Sequence, residues 1–147
     1  IEGLMEYKCT FKGSLNKGSD LVIMINVPIT TLCPCSKAIS DQGAHNQRGQ
    51  VTVCYRQNCF VWIEEIIELV EASSSCDVFS VLKREDEKFI TERAYEKPRF
   101  VEDVARAVAR ELEARQDIAE FDVRVISHES IHNHDAFAEI RGYIKEC

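Results

Sequence analysis

The apolar residues of this 147-residue chain repeat at two different periods, and the switch between them constrains the fold more than any other feature. Met5, Tyr7, Cys9 and Phe11 alternate with Glu6, Lys8 and Thr10, the period of a strand with one buried face, over about residues 4–12. After a Gly18-Ser19-Asp20 turn, residues 21–27 are apolar at nearly every position, which predicts a strand covered on both sides and ending at Pro28. Val51, Val53 and Tyr55 then alternate with Thr52 and Cys54 as a third strand. From residue 61 to 72 the period changes: Ile63, Ile66, Ile67 and Val70 fall at helical spacing, and Ser73-Ser74-Ser75 closes the segment. A second helix is signalled by Phe100, Val104, Val108 and Leu112, with Pro98 before it and Glu102 and Asp103 in its first turn. Its other face carries Arg106, Arg110, Glu113 and Arg115. Alternation resumes at Phe121, Val123 and Val125, and again over residues 136–144. The order strand-strand-strand-helix-helix-strand-strand predicts an α+β domain with two helices packed on one face of a mainly antiparallel sheet.

A chain 45% hydrophobic and 29% charged has enough apolar surface for one core. No apolar run approaches the roughly 18–20 residues needed to span a bilayer, and the N-terminus lacks a signal-peptide layout, so the expectation is a soluble protein. The chain opens on Ile1 rather than Met, which fits a fragment, a processed product or part of something longer. Its seven cysteines are odd in number and irregular in spacing, as expected of reduced cytoplasmic thiols rather than a disulfide scaffold. A net charge of −7 disfavours nucleic acid as the main partner. An anionic small substrate requires a local cluster of Lys and Arg.

Chemistry concentrates in two polar segments. Thr30-Thr31-Leu32-Cys33-Pro34-Cys35-Ser36-Lys37 is followed by Gly43-Ala44-His45-Asn46-Gln47-Arg48-Gly49, between two strands. Ser127-His128-Glu129-Ser130-Ile131-His132-Asn133-His134-Asp135 holds three of the four histidines. Each lone histidine or cysteine has a plain reading as a surface or packing residue. Clustered beside Glu129, the imidazoles suit general acid–base work or metal binding. Cys-Pro-Cys has no second thiol pair to make a structural zinc site, whereas one thiolate, one imidazole, a carboxylate and an open position suit a catalytic metal centre. Lys83-Arg84-Glu85-Asp86-Glu87-Lys88 reads by default as a solvated surface, and Glu102 as a first-turn acid facing the helix dipole.

These motifs, together with Thr91-Glu92-Arg93-Ala94-Tyr95, resemble in order, from about residue 20 to 144, the type IB GTP cyclohydrolases, the bacterial FolE2 enzymes. The resemblance implies the tunnelling fold (T-fold), an antiparallel sheet with two helices on one face, matching the periodicity. Family members carry two tandem T-fold units, so residues 1–147 are expected to be one unit, the second. The implied partners are the N-terminal T-fold half of the same protein and further copies in a homo-oligomer, a tetramer with sites at unit interfaces. The implied location is cytoplasmic.

The implied reaction opens the guanine imidazole ring of GTP, releases C8 as formate and yields 7,8-dihydroneopterin triphosphate, the first step of folate synthesis. Cys33, His45 and Glu87 are the expected ligands of one divalent metal ion per site (Zn, or Mn or Fe). Cys35, two residues along an extended segment and so on the same side, is expected among the catalytic residues, as an alternative ligand, a partner behind the ligands, a packing residue or a redox-sensitive neighbour of Cys33. His132 and His134 are the expected proton donors to the ring, with Glu129 orienting an imidazole. A buried Glu102 is expected to accept from guanine N1–H and the 2-amino group, selecting against adenine. Lys37, Arg48 and Arg93 are expected to bind the triphosphate. The alternatives are another T-fold purine or pterin enzyme, such as a nitrile reductase with a Cys nucleophile, and a non-catalytic zinc-binding module.

Overall fold

The computed structural model describes residues 3–14 and 21–143. The Gly18-Ser19-Asp20 turn and the end of the last strand at Ile144, both expected from the sequence, lie outside the described residues. One sheet carries the fold: β1 (Lys8–Lys12), β2 (Val22–Leu32), β3 (Asn46–Gln57), β5 (Ile118–His128) and β6 (Asp135–Tyr143) pair antiparallel in the order β1-β2-β3-β5-β6. The two-residue β4 (Cys76–Asp77) pairs with β2 beyond the end of β1. The sheet is thus wholly antiparallel, and the α+β class expected from the periodicities is the one observed.

Odd-numbered residues of β2, β3 and β5 point to one face and build the core: Ile23, Ile25, Val27 and Ile29, then Val51, Val53 and Tyr55, then Phe121, Val123 and Val125. Helices α2 (Ile63–Ser73) and α4 (Val101–Glu113) cover that face, contributing Ile66, Ile67 and Val70 from one and Val104, Ala105, Val108 and Leu112 from the other. The apolar stripe at helical spacing therefore packs as its periodicity requires.

Several expectations need correction. The strand starting near residue 21 does not stop at Pro28 but runs to Leu32. Thr30 O accepts from Ser75 N–H, and Leu32 N–H donates to Ser75 Oγ, so even-numbered residues of β2 direct their backbone groups away from β3. At residue 28 that outer side lies between the end of β1 pairing at Asn26 and the start of β4 pairing at Ile29, so the missing N–H of Pro28 disturbs no ladder. Nor is β2 covered on both sides along the stretch expected to be: its even residues from Val22 to Thr30 are only half-buried.

The first strand is shorter than expected, and Phe11 in it is 56% exposed. Phe100 is not a core residue; it occupies the N-cap of α4 and is 41% exposed.

Two helices carry no apolar stripe in the sequence. The segment after Cys33 is the short helix α1 (Pro34–Ile39), not an extended strand-like stretch, and the charged run opens α3 (Arg84–Glu96). Helix α3 buries only Ala94, against a small satellite cluster with Leu32 and Cys76.

Candidate active site

The polar residues that share the phase of the apolar alternation mark one end of the sheet. Thr31 follows Val27 and Ile29 on the helix-covered face of β2, Gln47 precedes Val51 on β3, and Ser127 follows Val125 on β5. Thr31 and Ser127 are each 1% exposed, and their hydroxyls meet at 3.3 Å. Two strands that end in buried hydroxyls instead of aliphatic side chains leave the core open there, and a cavity of about 540 Å³ occupies the gap. That volume lies in the range of small-molecule sites.

The cavity gathers both chemically rich segments. Cys33, Cys35 and His45 line it from the β2–β3 connection, Glu129, His132 and His134 from the β5–β6 connection, and Glu102 from the first turn of α4. Local structure fixes the first group. Cys33 caps α1, its Sγ accepting from Ser36 N–H at 3.4 Å and its own N–H donating to His45 O at 3.1 Å. His45 N–H donates to Ser36 Oγ at 3.3 Å. The turn at Gly43, φ 82°, uses a backbone conformation that favours glycine to return the chain to β3. His45 Nδ1 lies 2.9 Å from Gln47 Oε1 and 3.4 Å from Ser130 Oγ, so the two connections touch. His132 and His134 stack with ring centroids 5.2 Å apart. His128 points elsewhere, with its Nδ1 3.2 Å from Asp135 Oδ1.

Four residues expected at the site lie outside this cavity. Glu87 is exposed on the first turn of α3; its carbonyl accepts from Thr91 Oγ1, and Thr91 lines a neighbouring groove with Gly43 and Ala44. Lys37 Nζ donates to Tyr95 O at 2.5 Å and sits 4.3 Å from the centre of the Tyr95 ring. Arg48 is out of phase with Gln47 and Gly49, and so projects from the opposite face of the sheet. Arg93 is 3.8 Å from Asp77. Glu102 lines the cavity but is exposed in this chain rather than buried.

Thr31, Gln47, Ser127 and Arg99 line the cavity and were missed by motif reasoning. Gln47 was legible from its phase in a buried strand face. Arg99, whose Nε is buried without a hydrogen-bond partner among the described residues, had no such signal.

The donor set at the cavity suits a divalent metal ion in its chemistry. Gln47 Oε1 accepts from His45 Nδ1–H, which leaves the Nε2 lone pair free, as a metal-bound imidazole requires. Thiolate and imidazole together suit zinc and neighbouring metals. Burial pushes the thiols of Cys9, Cys54 and Cys76 above the usual range, so those cysteines stay protonated and inert. Among the described residues no three His, Cys, Asp or Glu groups converge closely enough to hold an ion by themselves.

Comparison with known proteins fits this geometry. The family model of the type I GTP cyclohydrolase FolE2 matches residues 1–138. GTP cyclohydrolase FolE2 of Syntrophobacter fumaroxidans is 59% identical over 138 residues, covering 92% of this chain and 54% of that protein. The FolE2 proteins of Methylobacillus flagellatus and Kosmotoga olearia are 51% and 54% identical, covering 95% and 94% of this chain and 53% and 54% of their own lengths. The chain spans about half the length of the curated relatives it matches, and these matches favour neither a nitrile reductase nor a structural zinc module. The chain belongs to the type I GTP cyclohydrolase FolE2 family.

Proposed function

We propose that this chain carries the reacting centre of a cytoplasmic GTP cyclohydrolase, which converts GTP and water to 7,8-dihydroneopterin triphosphate and formate. The observation that carries the reading is the convergence of Cys33 and His45 with Glu102, His132 and His134 on one cavity. Cys33 and His45 would hold a divalent ion (Zn, Mn or Fe) in this cavity, with Cys35 beside them, and Glu87 would have to swing in from the first turn of α3 to complete the set. When bound, such an ion supplies a water activated near neutral pH.

The chain's own residues handle the base and the protons. Glu102 accepts from N1–H and the 2-amino group of guanine; adenine presents an acceptor at N1 and would meet the carboxylate unpaired. As oxygen adds at C8, electron density moves onto N7, and His132 or His134 delivers a proton there and later to N9 as the C8–N9 bond breaks. Glu129 holds a proton for the same imidazoles. Thr31 and Ser127 give the cavity floor hydroxyls that serve as donors or acceptors.

The chain forms one T-fold unit, the second of two in tandem, in an oligomer whose interfaces bury Glu102. Glu102→Gln in the full-length protein keeps its metal content and loses GTP turnover by at least about a hundredfold, since a carboxylate bonded to two donors is removed. Cys33→Ala loses both metal and turnover. Normal turnover in either variant would overturn the corresponding role.

A further inference from the structure

Two buried hydroxyls on the cavity floor share a single hydrogen bond. Thr31 and Ser127 are each 1% exposed, and Thr31 Oγ1 lies 3.3 Å from Ser127 Oγ. They stand on strands that are not neighbours: β3 runs between them, with Gln47 paired to Thr31 and Gly49 paired to Ser127. A Cβ at Gly49 would come within 2.6 Å of Ile126 O, so β3 has bare backbone where the two hydroxyls approach each other over it. Each hydroxyl carries one proton. Whichever residue donates, the pair uses only one of the two protons, and among the described residues neither hydroxyl has another hydrogen-bond partner. One buried donor therefore remains unspent, which costs free energy until an acceptor arrives. At 3.3 Å the mutual bond is also long for two hydroxyls, so turning either one toward a ligand gives up little.

We propose that this hydroxyl pair donates to the 6-oxo group of the purine, and so selects what stands at position 6 of the base. The proposal rests on the GTP reading above and deepens it. In that reading Glu102 takes the N1–H and 2-amino donors, and His132 or His134 serves N7. Around the purine ring, O6 lies between N1 and N7, and the pair lines the same cavity as the residues that serve those two atoms. Glu102 cannot serve O6, since a carboxylate and a carbonyl are both acceptors. A neutral hydroxyl suits a neutral carbonyl, and its proton is the one the pair leaves unspent. The carboxylate rejects adenine at N1; the hydroxyls add a discrimination that the carboxylate cannot make, among bases that share N1–H and the 2-amino group.

The test uses the full-length protein loaded with Zn, titrated with guanosine and with 6-thioguanosine in a calorimeter. The two nucleosides share N1–H, the 2-amino group and N7, and differ in carrying oxygen or sulfur, a weaker acceptor, at position 6. The wild type should bind guanosine at least about tenfold more tightly, the scale of leaving a buried donor unmet. In Thr31→Val/Ser127→Ala that preference should shrink to within about twofold, through lost guanosine affinity, because no donor is left to tell the two apart. Removing both hydroxyls together leaves no orphan and nearly keeps their shape, so the fold should hold. Thr31→Ser, which retains the hydroxyl, should retain the preference, whereas a purely structural role would weaken both nucleosides alike. A wild type that binds both nucleosides equally, or a double variant that keeps the preference, would overturn the proposal; the first of these decides the matter even if the double variant misfolds. If the wild type fails to turn over GTP yet the double variant loses the preference, the hydroxyl pair stands and the cyclohydrolase reading falls. If the wild type turns over GTP while the double variant keeps the preference, the cyclohydrolase reading stands and the hydroxyl pair falls.

Discussion

A single hydrogen bond sets the tautomer of His45. Because the amide oxygen of Gln47 can only accept, the 2.9 Å contact places the proton on Nδ1. Gln47→Leu should therefore weaken divalent-metal affinity by about 10–100-fold, the usual effect of removing such an outer partner; an unchanged metal dissociation constant, read by chelator competition, would contradict this role. Gln47 also shows what was legible at this scale. Thr31, Gln47 and Ser127 are polar residues in phase with buried aliphatic ones, and that mismatch identifies the site end of the sheet from sequence alone. The cation positions were not legible, because a motif places Lys37, Arg48 and Arg93 near the site in sequence, whereas strand alternation and local pairing turn them away from it. The orphan state of Arg99 depends on tertiary burial, which no spacing reports.

Helix α4 links the core to the site, and its start responds to pH. Asp103 accepts from Phe100 N–H at 3.0 Å and from Arg106. Burial works to raise its pKa, but those bonds outweigh it and hold the carboxyl below its ordinary value. A depressed pKa in the fold means the stabilisation is complete above about pH 4, near the unfolded value, and is lost as pH falls through the folded one. Asp103→Ala should cost about 1 kcal/mol near neutral pH and flatten that part of the acid limb in urea unfolding; an acid limb like the wild type's would contradict it. On β6, a methyl added to Gly142 would sit 2.3 Å from Cζ of the core residue Phe121. Gly142→Ala should therefore destabilise by about 1–3 kcal/mol, whereas a neutral result by the same unfolding would mean the ring has room to turn. Elements with an apolar stripe, α2 and α4, were legible because burial shapes their composition. Helix α3 was not, since only Ala94 is buried and its charged run is what any solvated segment shows.

At the scale of the molecule, one face of the sheet is sealed by helices and the other is open. On the open face Asp122, Arg124, Glu139 and Arg141 form a closed ring of ion pairs at 2.7–3.1 Å across β5 and β6. Beside them, Ile126 and Phe137 are 36% and 56% exposed. The strands β1 and β6 end the sheet, presenting backbone groups that invite pairing. The tandem T-fold reading predicts that sedimentation of the full-length protein gives a tetramer; a monomer active on GTP would contradict the placing of sites between units. The most direct test of the proposed chemistry is to follow GTP labelled with carbon-13 at C8 by NMR, in the full-length protein with Zn, Mn or Fe. The label should appear in formate at the rate the pterin forms, and Glu102→Gln should stop both. Label that stays in the purine ring with every metal, or formate released unchanged by Glu102→Gln, would contradict a cyclohydrolase centre at this cavity.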